Sequence, residues 1–503
     1  MIQRHPGSLN LPLCLLLAAP AFVFALGWLA PGLGAACCVL LAAALGLASR
    51  QAAPGRPVDR PFLGLCLGLG LGVTVLSGTG HFFFQTFDWT IRDAVLVDLV
   101  GRDWPVGYLH KEEPHLLRAP LGMYLLPAAA GKLAGLRVAE FTLLAQNALL
   151  TALCLYGLGR HGASRREQGA IVAGALLFAG LDVVAMLGGV LTGETRLLHP
   201  DGALRLEYSG QMTLLLWTPH HALPGFAVAA AWLGWRRGED DCSAPALISA
   251  LGLLWSPLAT MGSLLLVAYA MVWARAERTL RARQLAAPAL AAIALLPVAF
   301  YLSRDTGELA IGLRSDPPFL FLYPGLILVD VAPAMLFLWQ TRDRTDRRAL
   351  WDYWLCLLPM LLFHFFTIGH DFARRAIIPI ATLVAVGFAQ RLQRQWDKGL
   401  GRDTRWILPV ALLCLMNPLI EIGRNLVERA EPLQTCNLLE AWQNGPLQAE
   451  TLALYLAQES AFSAYPWLFR ARTQQLATLT PRSCWRKGRL IYFDMPWREP
   501  VAP

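Results

Sequence analysis

The stretch 81-HFFFQTFDWTIRDAVLVDLVGRDWPVGYLHKEEPHLLR-118 sets six acids, Asp88, Asp93, Asp98, Asp103, Glu112 and Glu113, between two long apolar regions. Phe87-Asp88-Trp89 stands at the end of a hydrophobic run, so a carboxylate meets the chain where it leaves the bilayer. A plain connector does not need one there. Working outward, the chain is 55% hydrophobic and 16% charged, against roughly 45–50% and 25% in soluble domains. Its apolar runs are of about the 20 residues that a helix needs to cross a bilayer. In lipid each run must satisfy its own backbone hydrogen bonds, which makes it a helix; the period-two alternation of a membrane barrel is missing. The sequence therefore describes an all-α polytopic membrane protein, with the lipid bilayer as its first partner.

The net charge of +8 does not point to nucleic acid. Arginines and lysines sit in short clusters near 50–60, 160–166, 236–237, 275–283, 342–348 and 391–405, between apolar runs. That is the positive-inside pattern of cytoplasmic loops, and no nucleic-acid partner is expected. Alternating through these anchors predicts about 11 transmembrane helices, near 11–30, 32–48, 61–80, 139–159, 168–190, 212–235, 285–303, 319–340, 351–368, 376–390 and 406–423. The amino terminus starts inside, and the first run is too long for a cleaved signal, so it is read as a retained helix.

Two stretches do not fit as full crossings. Segment 119–136 carries Pro120, Pro127, Gly131 and Lys132 and is expected to be re-entrant. Segment 244–273 is broken at Trp255-Ser256-Pro257 and is expected to be a short helical hairpin. Irregular backbone at membrane depth survives only where protein or a water-filled cavity covers it, so both breaks hint at a cavity. Residues 1–423 then form the membrane domain and 424–503 a polar external region. Eight of the ten cysteines lie in or beside apolar runs; Cys436 and Cys484 alone fall in the external region. Two thiols in an oxidising compartment are expected to pair, two unrelated buried thiols being the alternative. No CxxC, HExxH or Walker loop occurs, which argues against a zinc finger, a zincin and an ATP-driven pump.

Asp88, Asp93, Asp98 and Asp103 recur every five residues, a step of roughly 140° on a helix, so they cannot share one face. Asp88 and Arg92 are i,i+4 neighbours and can form a local ion pair. The position of Asp88 at the membrane boundary supports a second role, because desolvation there would raise its basicity and suit it to accept a proton. A second feature is Ile368-Gly369-His370-Asp371-Phe372-Ala373-Arg374-Arg375. Two arginines on an external loop run against the positive-inside trend and look like an anion site, with a helix beginning near Arg375 adding its positive end; snorkelling to headgroups is the plainer reading. The third is Trp217-Thr218-Pro219-His220-His221-Ala222-Leu223-Pro224-Gly225, a polar break inside an apolar span. Ionisable groups inside spans are functional candidates, although one buried histidine on a backbone partner would also explain it.

These motifs together resemble the GT-C superfamily of membrane glycosyltransferases, which use polyprenyl-phosphate sugars. The run Asp88-Trp89 through Asp98-Leu99 to Trp104-Pro105-Val106 is similar to the opening of a group of bacterial GT-C-like membrane proteins. Further matches are Tyr124-Leu125-Leu126-Pro127-Ala128-Ala129 with Gly131-Lys132, Pro219-x-His221-x-Leu223-Pro224-Gly225, Trp255-Ser256-Pro257, and Asp371-Phe372 with Arg375 and Pro379. They span residues 60 to 390. The group has a Lys-His-Asn-like triplet where this chain has Ile91-Arg92-Asp93, and an Asn-Asp-Phe run where it has His370-Asp371-Phe372.

The resemblance implies a transferase in the bacterial inner membrane with its site facing the periplasm. The donor's tail would lie in the bilayer and its phosphate beside Arg375, with Asp371, His221 and Arg118 around it. Asp88 would be the base and Asp98 a second catalytic carboxylate; the acceptor would be a glycan, lipid or protein. Asp98, Glu112 and Glu113 are candidate hard ligands for a divalent cation, and their spacing leaves Mg, Mn and no metal all open. Three other readings stand, one of them a purely structural membrane scaffold, in which every external carboxylate is replaceable. A flippase or transporter of a lipid-linked sugar predicts ionisable groups through the whole membrane thickness. An O-antigen-type polymerase or ligase makes Arg375 and His221 essential and Asp88 dispensable.

Overall fold

The computed structural model describes residues 10–51, 57–192, 206–306, 311–368, 371–443, 452, 454–480 and 484. His370 lies outside them. The apolar runs fold as helices. α1 (Asn10–Trp28) and α2 (Pro31–Gln51) form a hairpin, with Pro31 at the first helical position, where its missing N–H is not needed. α3 (Arg60–Leu76) starts at Asp59, whose carboxylate accepts from the Phe62 N–H at 3.2 Å. The acidic stretch then becomes α4 (Phe87–Gly101) and a hairpin of β1 (Gly107–His110) and β2 (Glu113–Leu117). Lys111 and Glu112, both at positive φ, make its two-residue turn.

α5 (Leu125–Ala134), ten residues long, cannot cross a bilayer. α6 (Leu136–Gly159) does have the length. α7 (Arg165–Leu177) and α8 (Asp182–Thr192) are a bent pair, α9 (Gln211–Trp217) and α10 (Pro219–Arg236) are divided at Thr218, and α11 (Ser243–Leu251) leads to α12 (Pro257–Ala276). α13 (Ala282–Ala294) bends into α14 (Leu296–Leu302). β3 (Ile311–Leu313), α15 (Pro317–Leu326), a π turn at Ile327–Val331, α16 (Ala332–Gln340) and α17 (Arg347–Leu362) follow. β4 (Phe366–Ile368) pairs antiparallel with β3. α18 (Phe372–Ala376), α19 (Ile378–Asp397), α20 (Ile407–Val427), α21 (Leu438–Gln443) and β5 (Leu456–Gln458) complete the order used below.

Six of these helical segments are long and apolar enough to cross a membrane, or up to eight if each of the two bent pairs is one span. Leu26, Val39, Leu264, Val272, Leu328 and Leu412 project outward from them, which suits a lipid-facing surface. The continuous-span reading of 212–235 is divided at Thr218, whose backbone is not helical. The break expected in 244–273 is present between α11 and α12, but the hairpin is not short: α12 is a 20-residue helix and a candidate span. Pro257 begins this helix instead of breaking it, and the Ser256 hydroxyl caps it by accepting from the Ala259 N–H at 3.1 Å.

The described part of the carboxy-terminal region packs on the acidic stretch. β5 adds to the hairpin as a third strand, with Leu116 opposite Ala457. The Leu438 N–H donates to Asp98 Oδ2 at 2.8 Å, and the Arg470 N–H donates to the Trp28 carbonyl at 2.9 Å. A disulfide joins Cys436 to Cys484. Alkylation of the unfolded, unreduced protein should therefore label eight of the ten cysteines, and all ten after reduction.

The helix carrying Arg375 is held close by a glycine. A Cβ placed on Gly262 of α12 would collide with the backbone carbonyl of Ala376 in α18. Gly262→Ala should lower stability by about 1–3 kcal/mol, the usual cost of overpacking. The check is a lower thermal midpoint in detergent.

Candidate functional site

The site forms where α4 begins. Thr86 stands in extended backbone before the first turn and supplies no side-chain cap, so Asp88, in that turn, sits among the unpaired N–H groups and positive end of the helix. Arg92, one turn on, donates from Nη2 to Asp88 Oδ2 at 2.9 Å; 22% of the Asp88 side chain is exposed against 4% of Arg92. Among the described residues this is the only hydrogen bond of the Asp88 carboxylate. The local ion pair that the i,i+4 spacing allowed is therefore present: Asp88 is a partly exposed carboxylate held by a buried arginine. α4 is fixed in place by Trp89, fully buried, which donates from Nε1 to the Leu216 carbonyl at 2.8 Å. Phe87 packs edge-on to Trp217 with ring centroids 5.3 Å apart.

The break between α9 and α10 brings in the next wall. Thr218 accepts at Oγ1 from Arg375 Nη1 at 3.1 Å. His221, in the first turn of α10, shares a 2.7 Å hydrogen bond between Nδ1 and the Ser256 hydroxyl, and its ring lies 3.9 Å from that of His220. Asp371 precedes α18 and faces Arg375 across 3.8 Å. Arg374 turns away to Glu207 at 3.5 Å, so one of the two loop arginines serves this site. α18 has five residues, and α19 begins only at Ile378. The long helix expected to start near Arg375 is thus split, and Arg375 sits at the end of a single turn.

The pieces converge. Tyr455, brought over by the carboxy-terminal region, lies within electrostatic reach of Arg92, Asp88, Asp371 and Arg375; His221 lies within reach of Arg375, Asp371 and Arg92. Tyr124, buried before α5, faces Arg92, Tyr455 and Asp88. Burial pushes the Tyr455 hydroxyl above its ordinary pKa; the Arg92 charge opposes that and the Asp88 charge adds to it. Tyr455 is thus a protonated donor at neutral pH. Among the described residues, buried Arg92 has no hydrogen-bond partner for Nε or Nη1, and Arg375 none for Nε. Guanidinium donors left over in a buried site favour an anion with several oxygens.

Asp88, His221, Asp371 and Arg375 therefore meet, while the other sequence candidates do not join them. Asp98 is ten residues along α4, roughly 15 Å away at 1.5 Å per residue. It is buried, accepting from the Tyr108 hydroxyl and the Leu438 N–H at 2.8 Å each and from Arg102 Nε at 3.4 Å. It clamps the carboxy-terminal region to α4 at the edge of an open cleft of about 480 Å³. Arg118 is tied to Tyr455 by its backbone, its N–H donating to the Tyr455 carbonyl at 2.7 Å, and its guanidinium faces Tyr301 and Asp305. Glu112 and Glu113 lie at the exposed hairpin turn. The cation site suggested for Asp98, Glu112 and Glu113 does not form, because Asp98 is turned inward to Tyr108 and the two glutamates face solvent. Arg92, Tyr124, His220 and Tyr455 join the site without having been singled out for it. For Arg92 the i,i+4 spacing showed only its pairing to Asp88, and for Tyr455 no local pattern marks a residue delivered from a distant segment.

Comparison with known proteins found no matching family model, no matching curated protein and no matching solved structure.

Burial raises the Asp98 carboxyl to about 6, against the Leu438, Tyr108 and Arg102 contacts that favour the carboxylate. A raised acid contributes stability that is complete below its unfolded value, near 4, and lost as pH rises through 6. Thermal stability in detergent should therefore fall between these pH values by on the order of 2–3 kcal/mol, and Asp98→Asn should flatten that part of the profile.

Proposed function

We propose that this protein transfers a sugar from a polyprenyl-phosphate donor to an envelope acceptor, at the periplasmic face of a bacterial inner membrane that its chain crosses about eleven times. The observation that carries the reading is the grouping around Tyr455 of a partly exposed carboxylate, Asp88, with a buried guanidinium, Arg92, and a largely buried one, Arg375, of which Arg92 Nε and Nη1 and Arg375 Nε have no hydrogen-bond partner among the described residues. The donor's tail stays in the lipid while its phosphate oxygens take the Nε and Nη1 hydrogens of Arg92 and the Nε hydrogen of Arg375. An acceptor hydroxyl attacks the anomeric carbon as its proton passes to Asp88. The bond from that carbon to the phosphate oxygen breaks with its electron pair going to the phosphate, and the configuration inverts. Charge grows on the phosphate, where fixed positive groups stabilise it more than the ground state. Tyr455 and Tyr124 offer hydroxyls that position sugar or phosphate beside these charges.

A transporter of a lipid-linked sugar has one specific observation in its favour. Asp182 and Asp330 are buried against Gly180, where the bent pair of α7 and α8 meets the π turn. Under that reading Asp330→Asn stops movement of lipid-linked sugar across proteoliposomes and Asp88→Asn is silent.

Asp88→Asn should lower transfer by about 10²–10⁴-fold, the usual worth of a positioned base, with expression and thermal midpoint unchanged. Arg375→Ala should weaken donor use, and Arg375→Lys should restore it only in part, because lysine lacks the bidentate fork. The measurement is a mass spectrum of lipid extracts from null, wild-type and Asp88→Asn cells. One polyprenyl-phosphate sugar should accumulate in the null and the variant alone, with loss of that sugar from an envelope polymer. Full turnover by Asp88→Asn would refute the proposed base.

A further inference from the structure

We propose that His81, Asp93 and Glu140 form a closed site for a divalent transition-metal cation of the zinc class, separate from the site around Asp88 and independent of its function. His81 Nε2 lies 4.0 Å from Asp93 Oδ2 and 3.7 Å from Glu140 Oε1. All three ligand atoms fall within 4.8 Å of one another. In a tetrahedral zinc site with bonds near 2.0–2.2 Å, ligand atoms stand roughly 3.3–3.6 Å apart. Small side-chain rotations close that difference.

Three observations favour a cation over a chance grouping. Glu140 is 1% exposed, and among the described residues neither of its carboxylate oxygens has a hydrogen-bond partner and its one contact with an opposite charge is His81. A buried carboxylate in that state is costly unless a cation compensates it. Second, the other imidazole nitrogen is committed: His81 Nδ1 faces the Glu431 carbonyl at 3.1 Å. That backbone bond is the one a metal-bound histidine makes, and it turns the Nε2 lone pair towards the two acids. Third, the ligand set is chemically mixed. One imidazole nitrogen and two carboxylate oxygens suit zinc or a neighbouring first-row ion better than magnesium or calcium, which prefer all-oxygen cages.

The site joins four parts of the chain. His81 follows Gly80 in the link from α3, both residues at positive φ; Asp93 is in α4, Glu140 in α6, and Glu431 lies beyond α20. The three ligands are buried or nearly so, which favours a structural role, with water or a further group taking the fourth tetrahedral position that three protein ligands leave. The second close cluster of this kind among the described residues, Cys436, Glu440 and Cys484, has its two sulfurs joined in the disulfide and is no competitor.

The test uses the full chain, purified in detergent without chelator. Elemental analysis should find about one zinc or manganese per chain, and both His81→Ala and Glu140→Gln should lower it at least tenfold. After stripping with chelator, added Zn²⁺ should raise the thermal midpoint of the wild type and leave that of Glu140→Gln unmoved. Glu140→Gln keeps the shape of the side chain, so it separates loss of the ion from loss of the fold. Wild-type protein that holds no metal and gains no stability with Zn²⁺ or Mn²⁺ overturns the proposal, as does metal retained in both variants. Asp88→Asn should keep its metal whatever it does to transfer, so failure of one proposal leaves the other readable.

Discussion

Everything in this fold turns on the burial of a charged helix. α4 carries Asp88, Arg92, Asp93 and Asp98 in fifteen residues, yet three of those four are buried. Buried charges must find partners, and α4 finds them in different directions. The five-residue spacing of its acids rotates successive carboxylates by roughly 140°, and each meets a different neighbour. Asp88 faces Arg92, Asp93 faces His81 and Glu140, and Asp98 faces Tyr108 and Leu438. Asp103, past the end of the helix, accepts from the Thr473 hydroxyl. The α3 link meets α4 through Asp93 and the carboxy-terminal region through Asp98, while Trp89 ties α4 to α9.

That arrangement explains what the sequence could and could not reveal. The spans are legible because only helices tolerate lipid, and an apolar run announces one. Whether proline starts or interrupts a helix is not written in hydropathy. Pro257 lies behind a serine cap and starts one, while Thr218-Pro219 divides a span the apolar pattern makes continuous. The recurrence of aspartates showed that the acids part company. It could not show where each goes, since their partners lie as far away as Leu438, 340 residues along the chain.

The same limit governs the site. Asp88, His221, Asp371 and Arg375 each carry a local oddity: a carboxylate at a span's end, a polar break, an arginine pair on the wrong side. Tyr455 carries none. It reaches the charges because β5 extends the hairpin that follows α4, and because the Arg118 N–H bonds its carbonyl. The carboxy-terminal region, read from the sequence as a separate external piece, is a wall of the candidate site.

The contrast between the two pairs of like residues shows how the site departs from ordinary surface electrostatics. Arg374 and Arg375 are neighbours in sequence, yet Arg374 is half-buried against Glu207 while Arg375 turns inward to Thr218 and Asp371. Asp88 and Asp98 share one helix, yet Asp98 accepts from three donors and Asp88 from one. A carboxylate saturated by fixed donors holds structure; one with an oxygen to spare, beside guanidiniums with hydrogens to spare, has capacity for chemistry. Stability alone would favour filling those positions with protein partners, since each unmet buried donor costs on the order of 1–3 kcal/mol. Positions left unfilled in this way are a frequent mark of functional sites, and that supports the proposed role of Asp88 over Asp98.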